Sequence, residues 1–207
     1  MEGGKIQLIL GPMFSGKSSE LLRRIRRYKL ANKRVIVIKH ELDLQRTESS
    51  YLATHDQQIY EAVTYDKLES GLKEYSNFED YDIIGIDEGQ FFSDLALFSD
   101  KMANLGKIVI ISALHSTFER KAFDYITQLI PLCEDITTLT AICKRCSADA
   151  SFNYRIGQSK ELIFIGNEES YIPLCRSCYF NYTQPLIHHA TRIVTYPDGT
   201  TETVHYV

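Results

Sequence analysis

The chain has no tryptophan and no surplus of basic residues: 23 Lys and Arg stand against 27 Asp and Glu, a formal net charge of −4. A protein that grips nucleic acid through phosphates usually carries a basic excess, so non-specific DNA or RNA binding is a poor reading. Long hydrophobic runs are also missing, and nothing approaches the ~20 apolar residues of a membrane helix. Met1-Glu2-Gly3-Gly4-Lys5 lacks the apolar segment that follows the basic start of a signal peptide. A soluble, cytoplasmic protein is the expectation. The 5 cysteines are then no disulfide framework, because the cytosol keeps thiols reduced. What is present is ordinary globular composition, 44% hydrophobic and 24% charged over 207 residues, enough for a real core in one or two domains.

Ile6 to Leu10 is a short apolar run ending in Gly11-Pro12, which suits a buried strand. From Ser18 onward Leu21, Leu22, Ile25 and Tyr28 recur at helical spacing, and Val35 to Ile38 is a second β-branched run. Strand, helix, strand predicts a βαβ unit and a parallel sheet. Ile83 to Ile86 and Ile108 to Ile111 read as further central strands, apolar throughout because both faces are covered. Residues 92 to 105 give the helix between them. The polar, unpatterned segment Glu41 to Gln58 reads as a mobile loop. Arg23, Arg24, Arg26 and Arg27 are expected on a solvated helix face, with Glu20 paired to Arg23 or Arg24.

Gly11-Pro-Met-Phe-Ser-Gly16-Lys17-Ser18 satisfies GxxxxGKS/T, and it sits after a strand and opens a helix, as the motif requires. Glycines let backbone N–H groups curl around phosphate oxygens, and the helix N-terminus adds partial positive charge. The Lys17 ammonium reaches the β and γ phosphates, and the Ser18 hydroxyl ligates Mg²⁺. Asp87 ends an apolar run and can hold Mg²⁺ through water. Glu88 follows at the carboxyl edge of the sheet, where open α/β folds bind ligands; there a carboxylate activates water in an ATPase or deprotonates a hydroxyl in a kinase.

Cys143-x-x-Cys146 and Cys175-x-x-Cys178 form two knuckles whose intervening chain can fold as a hairpin. Four thiolates suit tetrahedral, structural Zn²⁺ with no open position. A redox dithiol is the rival, and paired CxxC motifs rarely serve that role. Cys133 reads as a buried core thiol.

With the phosphate loop, Asp87-Glu88-Gly89-Gln90-Phe91-Phe92 and the two CxxC pairs in this order, the chain closely resembles the thymidine kinases of animals and poxviruses. Leu114, Thr117-Phe118, Arg120-Lys121, Phe123, Leu139-Thr140-Ala141 and Cys175-Arg176-x-Cys178-Tyr179 match as well, so the resemblance runs from about residue 5 to residue 180. It implies an α/β fold: a P-loop NTPase-like parallel sheet flanked by helices, with a small zinc-binding β lobe carrying a lasso loop. It also implies transfer of the γ-phosphate of ATP to the 5′-hydroxyl of thymidine, with Glu88 as general base, and usually a homotetramer.

The implied nucleotide site comprises Gly11, Pro12, Met13, Phe14, Ser15, Gly16, Lys17 and Ser18 with Asp87, Glu88, Gly89 and Gln90. Asp43 and Arg46 stand for an Asp and an Arg in the loop after the second strand. Met13, Phe91, Leu114, Phe118 and Phe123 would line the pyrimidine pocket, closed by backbone groups of Leu162, Ile163, Phe164, Ile165 and Gly166 and by Tyr171. Cys143, Cys146, Cys175 and Cys178 would hold zinc.

Four positions depart from the family. His115-Ser116 replaces Asp-Gly, Ala122 replaces a usual Pro, and Asn153 stands where a Thr usually hydrogen-bonds the thymine. They bear on how strictly thymidine is preferred over deoxyuridine, not on phosphoryl transfer. The boundaries expected are 1–139 for the nucleotide-binding domain, 140–186 for the zinc and lasso domain, and 187–207 for a tail. In that tail Pro197-Asp198-Gly199-Thr200 between two β-prone runs predicts a β-hairpin. The alternatives are a deoxynucleoside kinase of broader specificity, a zinc-lobed P-loop ATPase acting on DNA, and a nucleotide-binding regulator without catalysis.

Overall fold

The computed structural model describes residues 3–42, 51–53, 59–70, 80–156, 170–183, 191–195 and 201–205. In chain order these form β1 (Lys5–Gly11), α1 (Lys17–Leu30), β2 (Val35–His40), β3 (Tyr51–Ala53), β4 (Ile59–Glu61), β5 (Val63–Tyr65), β6 (Ile83–Ile86), α2 (Leu95–Asn104), β7 (Ile108–Leu114), α3 (Asp124–Leu129) and β8 (Asp135–Thr138). After them come β9 (Ala141–Ile142), β10 (Asp149–Ala150), β11 (Phe152–Arg155), β12 (Tyr171–Leu174), α4 (Arg176–Thr183), β13 (Thr191–Thr195) and β14 (Thr201–His205).

Six strands form one sheet in the order β5-β2-β6-β7-β1-β8, and every neighbouring pair is parallel. The apolar runs read as doubly covered strands are so placed. Ile6, Leu8 and Leu10 of β1 face the α2 and α3 side with Phe98, Met102 and Leu129, while Ile9 faces α1 with Leu21, Leu22 and Ile25. On β6, Gly85 lets α1 approach: a Cβ there would meet Ile25 Cδ1 at 2.5 Å. Parallel strands put all their carboxyl ends at one edge, where the phosphate loop leaves β1 and Asp87 and Glu88 leave β6.

The segment from Glu41 to Gln58 is not a plain loop, because Tyr51–Ala53 pairs antiparallel with Ile59–Glu61. Alternation of Tyr51-Leu52-Ala53 is too short to stand out from its polar surroundings. Cys133 is half-buried rather than fully buried. Its Sγ donates to the Leu129 carbonyl at 3.3 Å, and burial, helped by the Glu134 and Asp135 charges, pushes the thiol up to about 11. In the tail, Thr191–Thr195 pairs antiparallel with Thr201–His205; residues 196–200 lie outside the described residues.

The arginine face of α1 departs from the solvated reading at one position. Arg24 is 12% exposed in its side chain and ties α1 to the sheet edge through Asp135 at 2.7 Å, Thr137 at 2.8 Å and Gln7 at 3.2 Å. Glu20 accepts from both Arg23 and Arg24. These bonds, Arg23's first, outweigh burial and hold its carboxyl down at about 2. A depressed carboxylate contributes stability above its unfolded pKa of about 4.5 that is lost as pH falls toward the folded value. Arg23 is well exposed, so screening reduces the effect. Glu20→Gln should therefore cost about 1–2 kcal/mol at pH 7. In thermal melts across pH, the gap from wild type should narrow below pH 4.5 and close near pH 2; a gap independent of pH would refute this linkage.

Candidate active site and metal centre

The turn between β1 and α1 has the shape a phosphate cradle requires. Gly16 takes φ 79°, the left-handed region open to glycine, and its carbonyl accepts from Glu20 N–H at 2.9 Å to begin α1. Gly11 is needed for space: a Cβ would meet Ser15 Oγ at 2.5 Å and the Leu139 carbonyl at 2.8 Å. Lys17 is buried and its Nζ donates to the Pro12 carbonyl at 2.6 Å, which keeps the ammonium inside the loop. Ser15 Oγ donates to the same carbonyl at 2.8 Å. Phe14 turns away, packing against the cysteine-bearing lobe.

Two strands away, buried Asp87 accepts from Ser18 Oγ at 3.1 and 3.0 Å and from Ser112 Oγ of β7. A hydroxyl and a carboxylate side by side at a phosphate loop are the hard oxygen donors that suit Mg²⁺. Glu88 adopts φ 52°, a conformation costly for a non-glycine residue and found mostly at functional sites. Gln90 fixes it. Buried to 3% exposure, Gln90 donates from Nε2 to Glu88 Oε2 at 2.5 Å and accepts from Leu114 N–H at 2.9 Å. Gln90 was assigned to the nucleotide by resemblance; its amide here joins the ends of β6 and β7 and orients the carboxylate. Phe91 packs near His40, ring centroids 5.8 Å apart. His40 Nδ1 accepts from Leu42 N–H at 3.1 Å, and burial lowers its pKa.

The four paired cysteines converge, with all sulfurs within 4.8 Å of one another. Tetrahedral zinc–thiolate bonds of ~2.3 Å place sulfurs about 3.8 Å apart, so the cluster fits that ion. Burial works against the Cys143 thiolate, yet backbone N–H groups of Cys175, Arg145 and Cys146 hold its pKa down at about 6. The Cys175 thiol, above all, pushes Cys178 up to about 12. Sulfurs this close cannot all ionise without a cation between them. Among the described residues around the cluster, Ala141, Ala150, Leu174 and Tyr179 form an apolar centre with Cys143.

This lobe is fastened to the loop after β7. Tyr179 Oη donates to the Phe118 carbonyl at 2.6 Å, and the Arg120 guanidinium lies over the Tyr179 and Phe180 rings at 4.9 and 4.8 Å. Arg155 of β11 lies over Phe118 at 4.4 Å and donates to Tyr171 Oη from Nε and Nη2 at 3.0 and 2.5 Å. Asn153 Oδ1 accepts from Met13 N–H of the phosphate loop at 2.8 Å. Met13, Phe118, Asn153 and Tyr171 thus meet at one seam, Leu114 at the end of β7 is joined to Gln90, and Phe123 packs toward the α2 side of the core. Asp43, Arg46 and Leu162 to Gly166 lie outside the described residues.

Sequence reasoning missed Arg155, Arg120 and Ser112. The alternation Phe152-Asn153-Tyr154-Arg155 is the one signal that points inward to Arg155.

A family model described as thymidine kinase matches residues 4–179. The chain belongs to the thymidine kinase family. The thymidine kinase of sheeppox virus (strain KS-1) is 49% identical over 180 residues, covering 87% of this chain and 99% of that protein. That of vaccinia virus (strain Western Reserve) is 48% identical over 181 residues, with the same coverage. Thymidine kinase 1 of Dictyostelium discoideum is 48% identical over 179 residues, covering 85% of this chain and 78% of that protein. The family match ends before β13 and β14. No helix among the described residues is long and apolar enough to cross a membrane.

The sulfur geometry yields a prediction. Freshly purified, reduced protein should carry one Zn²⁺ per chain by metal analysis. Cys175→Ser should release it, lower the melting temperature, and raise KM for the nucleoside at least several-fold more than KM for ATP. Zinc-free protein of full stability would sink the structural-zinc reading.

Proposed function

We propose that this chain is a thymidine kinase that transfers the γ-phosphate of ATP to the 5′-hydroxyl of thymidine. Its setting is pyrimidine nucleotide salvage for DNA synthesis. The observation that carries the reading is the joint edge of the sheet: a glycine-built phosphate loop, the Ser18–Asp87 pair, and Glu88 held in a left-handed conformation by Gln90. Family membership supplies the substrate class. A DNA-acting ATPase would need a basic, aromatic-lined groove for a strand, which a chain of net charge −4 does not favour.

The loop backbone and the α1 N-terminus bind the triphosphate. Lys17 is placed to exchange its Pro12 carbonyl for phosphate oxygens. Ser18 directly and Asp87 through water would hold Mg²⁺, which when bound neutralises charge building up on the phosphates. Glu88 accepts the 5′-hydroxyl proton as the oxygen attacks phosphorus in line with the departing ADP. Met13, Phe91, Leu114, Phe118 and Phe123 supply an apolar bed for a pyrimidine, and Tyr171 with residues 162–166 closes over it. Cys143, Cys146, Cys175 and Cys178 would hold structural zinc. The division at residue 140, a homotetrameric assembly and a cytoplasmic location complete the reading.

ADP release with ATP alone, with thymidine added, and with single-stranded DNA added tests the whole reading; only thymidine should stimulate it. Glu88→Gln should cut turnover by about 10²–10⁴-fold, because an amide cannot accept the proton, while ATP affinity stays near wild type. Near-normal turnover by that variant would remove Glu88 from the role of base.

A further inference from the structure

β2 ends on a buried histidine. His40 is 8% exposed and lies in register with Tyr65 of β5 at the carboxyl edge of the sheet. Its ring meets two aromatic rings from the chain that leaves β6. Phe92 stands edge-on at a centroid distance of 4.7 Å, and Phe91 is tilted against it at 5.8 Å. Phe92 is fully buried, whereas Phe91 is half-buried and keeps part of its ring open. Phe91 comes just after Glu88, Gly89 and Gln90, so the imidazole braces a ring that sits beside the candidate base.

The hydrogen bond of the imidazole fixes its charge state. Leu42 N–H donates to His40 Nδ1 at 3.1 Å, so that nitrogen carries a lone pair and the neutral ring keeps its hydrogen on Nε2. A proton on Nδ1 would set donor against donor at Leu42 and strand a charge in a buried place. Burial lowers the pKa from the ordinary 6.5, while the Asp66 backbone and the Glu41, Asp66 and Asp94 charges pull it upward. Those groups come from every side of the ring: Glu41 from the exit of β2, Tyr65 and Asp66 from the end of β5, and Asp94 from the approach to α2. Asp94 is engaged elsewhere, since its carboxylate accepts from Leu68 N–H at 3.2 Å and Glu69 N–H at 2.8 Å.

We propose that His40 is a positioning residue for the nucleoside: in its neutral form it braces Phe91, a wall of the pyrimidine bed, against Phe92 and the start of the chain after β2, and protonation releases that brace. The inference rests on the thymidine kinase reading, which puts the base against Phe91. Nucleoside binding then requires the uncharged ring. Affinity is full where the imidazole is neutral and falls as pH drops through its folded pKa, which lies below 6.5. Because the bound form is the unprotonated one, binding in that acid range expels a proton.

The test uses the full, zinc-replete chain without ATP, so that the chemistry and the titration of Glu88 stay out of the measurement. Thymidine is titrated calorimetrically from pH 8 to pH 5, in two buffers of different ionisation enthalpy. Wild-type affinity should be level at the alkaline end, then fall below pH 6.5 toward a limit of about tenfold per pH unit, with proton release over the same range. His40→Phe keeps a ring beside Phe91 and cannot take a proton. It should bind roughly 2–10-fold more weakly at pH 8, having lost the Leu42 bond, with an affinity that no longer changes down to pH 5 and no proton release. His40→Asn keeps an oxygen for Leu42 N–H but removes the ring. It should weaken binding by a similar factor, again without pH dependence, and it is the second variant if the phenylalanine does not fold. Melting temperature at each pH and zinc content are the folding controls. Wild-type affinity level down to pH 5, or variants that keep the wild-type fall and proton release, would overturn the proposal while the kinase reading stands. Wild type that neither binds nor phosphorylates thymidine at pH 8 overturns the kinase reading, and this inference falls with it.

Discussion

A phosphate loop holds its shape only if the strand that feeds it cannot shift, and here that strand is β1. It is paired along its whole length to β7, from Lys5 with Ile108 to Gly11 with Leu114, and on its other side to β8. Leu139 N–H donates to the Leu10 carbonyl at 2.7 Å, and the Leu139 carbonyl leaves no room for a side chain on Gly11. The loop is thus pinned at its root by β7, β8 and Leu139. Arg24 then fixes the helix that follows to β8, so the dipole of α1 points from a set position. The same sheet carries Asp87 at the end of β6, with Asp87 N–H bonded to the Ile38 carbonyl of β2. The phosphate loop, Asp87 and Glu88 therefore share one frame, the condition that catalysis by positioning and electrostatics would require of the proposed site.

The second constraint is the small apolar centre around the cysteine cluster. Among the described residues it is a handful of side chains, too few to fold by burial alone. A cluster of four sulfurs able to hold zinc offsets that shortage, since a structural zinc site contributes on the order of 10 kcal/mol where folding depends on it. The lobe's connections run outward through polar and aromatic contacts. Tyr179 holds the Phe118 carbonyl, Arg120 covers the Tyr179 and Phe180 rings, Arg155 spans Phe118 and Tyr171, and Asn153 grips Met13. Metal loss should then be felt first by the seam.

Much of this was legible in the residues. Continuous β-branched runs revealed doubly covered strands because parallel sheets bury both faces, and the order of glycine, lysine and serine after such a run has few other uses. Paired CxxC motifs announced a metal centre because thiol spacing survives any fold around it. Other features were hidden for physical reasons. β3 is three residues in a polar stretch, below the length at which alternation carries information. Arg24 looked like its solvated neighbours because helical periodicity says which way a side chain faces but not what lies beside it; the partners Asp135 and Thr137 come from more than a hundred residues away. The partners of Gln90 are hidden in the same way, since only the closeness of the β6 and β7 ends gives both halves of its amide a protein partner.

The arrangement separates two tasks that a nucleoside kinase must perform. In the proposed reading proton removal and charge neutralisation fall to the sheet edge, where Glu88, Gln90, Asp87 and Ser18 are held together by their mutual bonds and by β6 and β7. In the same reading base choice falls to the seam, where side chains of the lobe touch the loop after β7 and the start of the phosphate loop. That division explains how His115, Ser116 and Asn153 can depart from the family pattern while the phosphoryl-transfer residues do not. Among the described residues the buried His115 Nδ1 and Ser116 Oγ find no hydrogen-bond partner, and both directly follow Leu114 at the end of β7. The Met13–Asn153 bond and the packing of Phe14 on the lobe tie the phosphate loop directly to β11 and its neighbours, so a shift of the lobe is felt at the loop.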